Sequence, residues 1–441
     1  MARYLWPLAL ALMFLPDFAL GLYRDTPVGL VRASDAVLVL LLALLLLAPG
    51  RRTDFPLSVR AAFISFFAVA ALSTLLAAVR YPNADWLVPI GGLVKLAKLL
   101  LYAITGPLVA RCVLSPSDYR KTTWALALGG LVAGYALLTS ARGAWSSAEF
   151  DVDLLEPPQY QSAHFVSVSL GSLACFLIGM SAVAERKPYK LWIRLGIIAA
   201  LLMGMLFTGA RGGWTGLAVG ILFLMVRIRP NARTVLATVF AITVATATIS
   251  LAPAVRDRFG QIFNTSMASP TMQRLGVTDQ ERVSFWLWEG RKMRKSPFLG
   301  AGFYNRGEVS GLSPFGSHNF FIQMGLETGL IGLFCVLWLL KALWSSASSA
   351  AVDPALRPHA VAFQSSLLAA CVASLSGEYL YGGIPVFILS VLYSTMIALK
   401  RVQAESELSV QRSEVVLPGQ QPAPDELGAG ACWRATRWPA G

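Results

Sequence analysis

Apolar stretches long enough to cross a lipid bilayer recur along the whole chain and alternate with short polar connections. A membrane-spanning helix needs about 20 predominantly apolar residues, and windows of that length predict about twelve spans. The predicted spans are residues 4–22, 34–49, 60–79, 86–110, 122–140, 163–184, 192–209, 213–227, 232–252, 318–343, 359–381 and 384–399. This pattern predicts an all-α polytopic membrane protein.

One polar stretch is much longer than the other connections and runs from residue 253 to residue 317. It divides the chain into spans one to nine (1–252), a long loop with an amphipathic helix (253–317), spans ten to twelve (318–400) and a tail (401–441). The tail contains "PGQQPAPDELGAG" and lacks apolar periodicity, so we expect it to be disordered.

Basic residues collect in alternate connections, as the positive-inside rule describes for cytoplasmic loops. This bias predicts that both termini are cytoplasmic and that the long loop faces outward. It also accounts for the net charge of +13, so we predict no nucleic-acid partner. The cytoplasmic basic residues are Arg51, Arg52, Arg60, Arg111, Arg120, Lys121, Arg186, Lys187, Lys190, Arg194, Arg227, Arg229, Arg233, Lys400 and Arg401.

Cysteine and histidine usage narrows the candidate chemistry. The five cysteines lie in spans, at a cytoplasmic span end or in the tail, so they cannot cross-link the outer loops, and none has zinc-site spacing. We therefore predict no metal and no cofactor. Of the three histidines, His359 falls on the cytoplasmic side, which leaves His164 and His318 as candidates for an outward acid or base.

The long loop contains a predicted helix. Thr278 and Glu281 fit a capping box, and "DQERVSFWLWEGRKMRKS" then continues as a helix until Ser296 meets Pro297. Its basic side chains contact either anionic lipid headgroups or a phosphorylated lipid substrate. Its apolar stripe comprises Val283, Trp286, Leu287 and Met293, and the flanking basic residues are Arg291, Lys292, Arg294 and Lys295.

Two arginines are candidates for anion binding. In "FTGARGGWTG", three glycines permit a short hairpin that places Arg211 beside a helix N-terminus, where anions bind. The alternative for Arg211 is ordinary snorkelling of a loop arginine. Arg282 lies one turn into the loop helix, and its alternative is pairing with Asp279 or Glu281 or stacking on an aromatic ring.

The stretch "GSHNFFIQMGLETGLIG" places polar groups at two depths of the tenth span. Asn319, Gln323 and Glu327 fall on one helix face, which should point into the protein or a wet cavity. Glu327 lies about 13 Å below His318 by helical rise, so we expect a structural role for it as a buried hydrogen-bond or ion-pair partner, with Lys95 and Lys98 as the candidate partners. His318 is the group with access to water.

These segments together resemble a known family. The order "TGARGG", "ERVSFWLW", "KSPFLGAGFYN" and "SHNFFIQMGLETGLIG", among about twelve spans with one long outer loop, resembles the O-antigen ligase and polymerase superfamily of bacterial envelope glycosyltransferases. The chain looks most like the ligases, and the resemblance is clear over residues 200 to 335. The positions that match the family pattern are Arg211, Arg282, Pro297, Gly300, Gly302, His318, Asn319 and Glu327.

The resemblance implies a metal-independent, inverting transfer of a glycan from undecaprenyl pyrophosphate to a sugar hydroxyl of lipid A-core. The reaction would take place at the periplasmic face of the inner membrane. Arg211 and Arg282 would stabilise the pyrophosphate, and His318 would act as general base. The remaining assignments are substrate binding for Asn319, Trp286, Arg291, Lys292, Arg294 and Lys295, and structural roles for Glu327, Gly300 and Gly302.

Three alternatives stay open. A polymerase or a protein-glycosylating relative would use the same donor with a different acceptor. A metal-dependent glycosyltransferase would use Asp151 and Asp153 of "FDVDLLE" as ligands. A transporter would line its path with polar groups, although no internal repeat is visible in the sequence.

Overall fold

The computed structural model describes residues 2–13, 23–26, 29–80, 87–140, 163–183, 189–208, 210–228, 232–252, 255–256, 286–287, 289–291, 293–303, 319–377 and 379–415. Within these ranges the chain is helical apart from connections and one short antiparallel hairpin, β1 (Tyr23–Thr26) and β2 (Gly29–Arg32). The helices are α1 Ala2–Leu12, α2 Ala33–Leu47, α3 Leu57–Arg80, α4 Leu87–Cys112, α5 Pro116–Ser140, α6 Ala163–Met180, α7 Tyr189–Phe207, α8 Arg211–Arg227, α9 Ala232–Leu251, α10 Phe320–Ala350, α11 Arg357–Ala373 and α12 Gly383–Val415.

The helices follow the apolar pattern of the sequence, and every predicted span overlaps one of them. Among the described residues, six helical segments are long and apolar enough to cross a membrane, in α3, α4, α7, α9, α10 and α12. The prediction of a helical membrane protein is therefore confirmed. The number of spans stays a prediction, since the other helices, such as α6 and α8, are shorter or less apolar.

Helix α6 lies at the centre of the packing, and every residue from 166 to 181 is buried. It contacts α7, α8 and α11, while α12 packs along α4 and α10 packs along α3. In contrast, large apolar side chains of α3, α8 and α9 are exposed, among them Ile64, Leu222 and Ile242. A soluble protein rarely exposes such extended apolar faces, so these surfaces indicate contact with lipid.

The two ends of the bundle differ in composition. We call the end that contains Ser167, Arg211, Asn319 and residues 374–381 the site end. The opposite end, which we call the tail end, brings together three of the predicted cytoplasmic connections. There Arg401 Nη1 donates to the carbonyls of Arg51 (3.1 Å) and Arg52 (3.2 Å), and its Nη2 donates to the carbonyl of Val113 (2.5 Å).

One predicted boundary is corrected at the tail end. Helix α12 continues to Val415, so the first part of the segment predicted as a disordered tail, 401–441, is helical. The physical reason is tertiary, because Arg401 anchors the helix to two connections and Glu405 forms an ion pair with Arg51 at 2.7 Å. The prediction of disorder relied on apolar periodicity, which carries no information about polar contacts of this kind. Residues 416–441 lie outside the described residues.

Candidate functional site

Arg211 begins helix α8 after a very short connection from α7. Thr208 holds this connection, because its Oγ1 donates to the carbonyl of Met205 (2.6 Å) and accepts from the amide of Ala210 (3.2 Å). Ala210 is extended and provides no side-chain cap for the helix. The half-buried guanidinium of Arg211 therefore stands beside an uncapped helix N-terminus, an arrangement that favours anions.

The two glycines after Arg211 allow α8 to approach its neighbours closely. A methyl group at Gly212 would overlap Ser376 Oγ and lie 2.7 Å from Tyr379 Oη. A methyl group at Gly213 would overlap Ser167 Oγ of α6. The beginning of α8 is thus fixed against α6 and against the segment that follows α11.

Asn319 caps the N-terminus of α10 and ties it to the same segment. Its Oδ1 accepts from the amides of Phe321 (3.0 Å) and Ile322 (3.1 Å), and its Nδ2 donates to the carbonyl of Leu375 (3.0 Å). The amide of Phe320 also donates to the carbonyl of Ser374 at 2.9 Å. The segment 374–379 therefore contacts both the beginning of α8 and the beginning of α10.

Helix α10 is interrupted at Gly329, whose φ of 70° and ψ of −174° are not helical. In a continuous helix, the carbonyls of Leu326 and Glu327 would accept from the amides of Leu330 and Ile331. The interruption breaks both of these hydrogen bonds. Unpaired backbone groups are costly inside a membrane, so replacement partners are required.

Residues 296–303, which we call the inserted segment, supply those partners. The amides of Ala301 and Gly302 donate to the freed carbonyls of Leu326 and Glu327, both at 2.9 Å. The freed amides of Leu330 and Ile331 donate to the carbonyls of Pro297 (2.8 Å) and Phe298 (3.3 Å). The four hydrogen bonds fix the end of the long loop inside the interrupted helix.

Glycines are required on both sides of this junction. Gly300 and Gly302 have φ of 64° and 101°, values that side-chain-bearing residues rarely adopt. A methyl group at Gly329 would overlap the carbonyl of Phe298, and one at Gly300 would lie 2.4 Å from the carbonyl carbon of Glu327.

Helix α3 supports the inserted segment from the other side. The hydroxyl of Ser73 contacts the carbonyl of Leu299 and donates to the carbonyl of Glu327 (2.7 Å). Thr74 Oγ1 accepts from the amide of Phe303 at 3.1 Å. Arg80 Nη1 contacts Ser296 Oγ and donates to the carbonyl of Gly300 (3.1 Å). No local sequence feature marks Arg80 as a site residue.

The side chain of Glu327 is fully buried and accepts two hydrogen bonds, from Gln323 Nε2 and from Tyr381 Oη. Gln323 lies on the same helix face, as the spacing indicates. Of the two lysines predicted as ion-pair partners, Lys98 instead pairs with Asp35 at 2.7 Å. The prediction for Lys98 is therefore wrong. It relied on Lys98 and Glu327 having a similar depth in the membrane, whereas the pairing is decided by which carboxylate lies next to Lys98 in the folded chain.

Tyr381 is a further residue at this site that sequence reasoning missed. It ends a 3-10 turn, Tyr379–Tyr381, and its ring stacks on Phe303 of the inserted segment with 4.9 Å between centroids and 9° between planes. Its hydroxyl contacts Glu327 of α10 at the same time. The available signal was the aromatic cluster "EYLYGG" at a span boundary, but its partners are distant in sequence.

The basic residues of the loop lie just before the inserted segment. Arg291, Arg294 and Lys295 are exposed, and Trp286 is half-buried. The described residues 286–287, 289–291 and 293 are helical, and the chain turns at 294–295. Met293 packs on Ala301 and Leu326, whereas Leu287 is exposed, so the predicted apolar stripe is not buried uniformly.

Several predicted site residues lie outside the described residues, namely His318, Arg282, Lys292, Asp151 and Asp153, and the side chain of His164. In the part of the chain that is described, no group of three His, Cys, Asp or Glu side chains could hold a metal ion. His359 is buried near the tail end, where its Nδ1 is 2.7 Å from Tyr119 Oη.

Comparison with known proteins gives one family. Residues 195–337 match the family model described as O-antigen ligase. The match runs from α7 to the middle of α10 and includes Arg211, the inserted segment and Glu327, but not Tyr381. No curated protein matches the chain at a significant level.

Proposed function

We propose that the chain transfers a glycan from undecaprenyl pyrophosphate to a sugar hydroxyl of lipid A-core, a proposal supported by the match of residues 195–337 to the family model described as O-antigen ligase. The observation that carries this proposal is the meeting of three segments at the site end. The Arg211 turn, the inserted segment and the beginning of α10 all contact residues 374–381. These are the segments that carry the family resemblance.

The proposed orientation places the site end at the periplasmic face of a bacterial inner membrane and both termini in the cytoplasm. It is supported by the position of the basic connections, three of which meet at the tail end around Arg401. The donor would then enter from the membrane and the acceptor from the same leaflet.

The reaction breaks the bond between the anomeric carbon and a phosphate oxygen, so negative charge develops on the departing undecaprenyl pyrophosphate. A fixed guanidinium can stabilise that charge with two parallel hydrogen bonds. We assign this role to Arg211, whose position beside an uncapped helix N-terminus supports it, and to Arg282, which the sequence places in the predicted loop helix. No metal is needed for this stabilisation.

The new bond forms between the acceptor oxygen and the anomeric carbon, and the acceptor hydroxyl must lose its proton. We assign His318 as the general base, because it directly precedes the helix cap Asn319, which the site end holds in place. Direct displacement from the face opposite to the pyrophosphate inverts the anomeric configuration.

The loop residues would bind the donor. These residues are Trp286, Arg291, Lys292, Arg294 and Lys295. Of the four basic residues, the described Arg291, Arg294 and Lys295 lie just before the inserted segment. The exposure of Arg291, Arg294 and Lys295 supports contact with lipid phosphates, either those of the donor or those of surrounding headgroups. Asn319 would combine its capping role with contact to the acceptor.

A reconstituted transfer assay tests the proposal. Purified protein receives lipid-linked glycan together with lipid A-core, a second lipid-linked glycan or a peptide bearing a serine hydroxyl, and the extended product is identified. We expect extension of lipid A-core, with and without EDTA. Extension of the second lipid-linked glycan would identify a polymerase, and extension of the peptide a protein glycosyltransferase. Loss of activity in EDTA that magnesium restores would instead support a metal-dependent glycosyltransferase with Asp151 and Asp153 as ligands.

A further inference from the structure

The 3-10 turn Tyr379–Tyr381 contacts three separate segments of the site. Tyr379 packs on Gly212, beside Arg211. Two residues later, Tyr381 stacks on Phe303 at the end of the inserted segment and contacts the carboxylate of Glu327 in α10. One short turn thus joins the arginine turn, the end of the basic loop and the interrupted helix.

Side chains hold the inserted segment in addition to its backbone hydrogen bonds. The interruption at Gly329 removes two helical hydrogen bonds and so frees two carbonyls and two amides. The four backbone hydrogen bonds of the inserted segment satisfy these four groups. Separation of the segment from α10 would leave these backbone groups unpaired in the membrane. The backbone hydrogen bonds alone do not fix the direction in which the preceding loop leaves the bundle. Tyr381 contacts both partners of the junction at once, and Arg80 holds the beginning of the segment.

We propose that Tyr381 and Glu327 are positioning residues of the transferase site. The hydrogen bond of Tyr381 to Glu327 and the stacking of its ring on Phe303 together lock the inserted segment against α10, and so fix the basic loop residues at a set distance from Arg211. This inference rests on the proposed function. Neither side chain needs to touch the reacting atoms, and each acts through the segment that it holds. Because small displacements of binding groups slow enzymes strongly, loosening the lock should weaken donor binding most.

Tyr381→Phe tests the lock, because it removes the hydroxyl and keeps the stacking on Phe303. The matched control is Tyr393→Phe in α12, which also removes one buried hydroxyl, at 2.9 Å from Ser346 Oγ, away from the site. In hydrogen–deuterium exchange, the peptide covering residues 296–303 should exchange faster in Tyr381→Phe and at the wild-type rate in Tyr393→Phe. In the transfer assay, Tyr381→Phe should raise the KM for the donor about tenfold, with a smaller change in the KM for the acceptor.

Substitutions of Glu327 separate positioning from chemistry. Glu327→Gln keeps the volume and one acceptor oxygen for Tyr381, so it should retain much more transfer than Glu327→Leu and keep the wild-type pH profile. A carboxylate that exchanged a proton with substrate would instead be inactive as Gln. Should Tyr381→Phe fold poorly, Phe303→Leu loosens the same contact by removing the stacked ring.

Each outcome decides the inference. Faster exchange of residues 296–303 together with a raised donor KM supports it. Unchanged exchange in Tyr381→Phe, or faster exchange with unaltered transfer, overturns it, and so does a Glu327→Gln variant that is inactive although its exchange is normal. If the wild-type protein extends none of the acceptors, the proposed function fails, and the exchange comparison still decides whether this turn holds the inserted segment.

Discussion

At the scale of single residues, Arg211 carries the most specific prediction. Arg211→Ala should lower transfer by about 100-fold or more if the guanidinium meets the pyrophosphate in a desolvated site, and Arg211→Lys should recover little because the planar fork is lost. The control is Arg227→Lys at the exposed other end of α8. Initial rates with donor in excess measure the effect, and near-normal rates in Arg211→Lys would reduce its role to bulk positive charge.

The assignment of His318 gives a second prediction. His318→Ala should bind the lipid-linked donor normally but lose about 100-fold or more in transfer, the usual scale for a general base. Wild-type transfer should decline as the pH falls through about 6 to 7, since a protonated imidazole cannot accept a proton. His164→Ala is the comparison variant, measured at equal folded yield. Transfer at the wild-type rate in His318→Ala, with loss in His164→Ala, would show that the base is misassigned.

The buried charges show how far sequence reasoning extends at this scale. The spacing of Asn319, Gln323 and Glu327 indicates one face, and all three are buried. The interaction partners of these buried charges are harder to predict from the sequence. Glu327 contacts Tyr381, 54 positions away, and Lys98 pairs with Asp35, 63 positions away. Helical periodicity reports which residues share a face but not which helices become neighbours.

At the scale of elements, the beginning of α8 is packed so tightly that its glycines are structural requirements. Gly213→Ala would force the new methyl group against Ser167, and overpacking of this kind costs about 1–3 kcal/mol. We expect a lower apparent Tm in detergent and reduced transfer, because Arg211 would move with the helix end.

Two further variants test that explanation. Ser167→Ala should restore part of the stability of Gly213→Ala, because the buried Ser167 hydroxyl has no hydrogen-bond partner among the described residues and its removal relieves the overlap. Gly196→Ala in α7 should not destabilise, as no atom lies within 4 Å of the added methyl group. Equal destabilisation by Gly196→Ala would indicate a general sensitivity of the helices rather than a local overlap.

Helix α10 marks the limit of sequence reasoning at the scale of elements. The apolar window predicts one uninterrupted span at 318–343, whereas the structure has a helix to Ala350 with an interruption at Gly329. The glycines of "LETGLIG" are compatible with both forms. The interruption is stable because residues 296–303 replace the lost hydrogen bonds, and a pattern read along one segment cannot show that a distant segment fills it.

At the scale of the whole molecule, the division into two ends follows from the sequence, but the contacts that close each end do not. Alternating charge predicts that the connections near residues 51, 111 and 401 share one side, and the structure brings them into contact. At the site end, no sequence signal marked the contribution of α3. The aromatic cluster at residues 379–381 was visible in the sequence, but its partners Phe303 and Glu327 were not, because they are distant along the chain.

Arg401 gives a prediction at this scale, since one guanidinium joins α12 to two connections of the bundle. It donates to the carbonyls of Arg51, Arg52 and Val113 and to Thr53 Oγ1 (2.7 Å). Hydrogen bonds from charged groups contribute about 1.5–3 kcal/mol each when buried and less when exposed, so Arg401→Ala should destabilise the protein by roughly 2 kcal/mol. Arg401→Lys should recover only part of the lost stability, because a single ammonium group cannot span both connections.

The matched control is Arg52→Ala, which alters an exposed side chain of the same connection and leaves its carbonyl as an acceptor. Apparent Tm in detergent and donor binding should be measured together on all three variants. Because Arg401 lies at the tail end, Arg401→Ala should lower the Tm while the donor KM at moderate temperature stays near the wild-type value. A clear rise in the donor KM of Arg401→Ala at a temperature where the protein is fully folded would mean that the two ends are coupled. A Tm of Arg401→Ala equal to that of Arg52→Ala would mean that Arg401 does not join the connections.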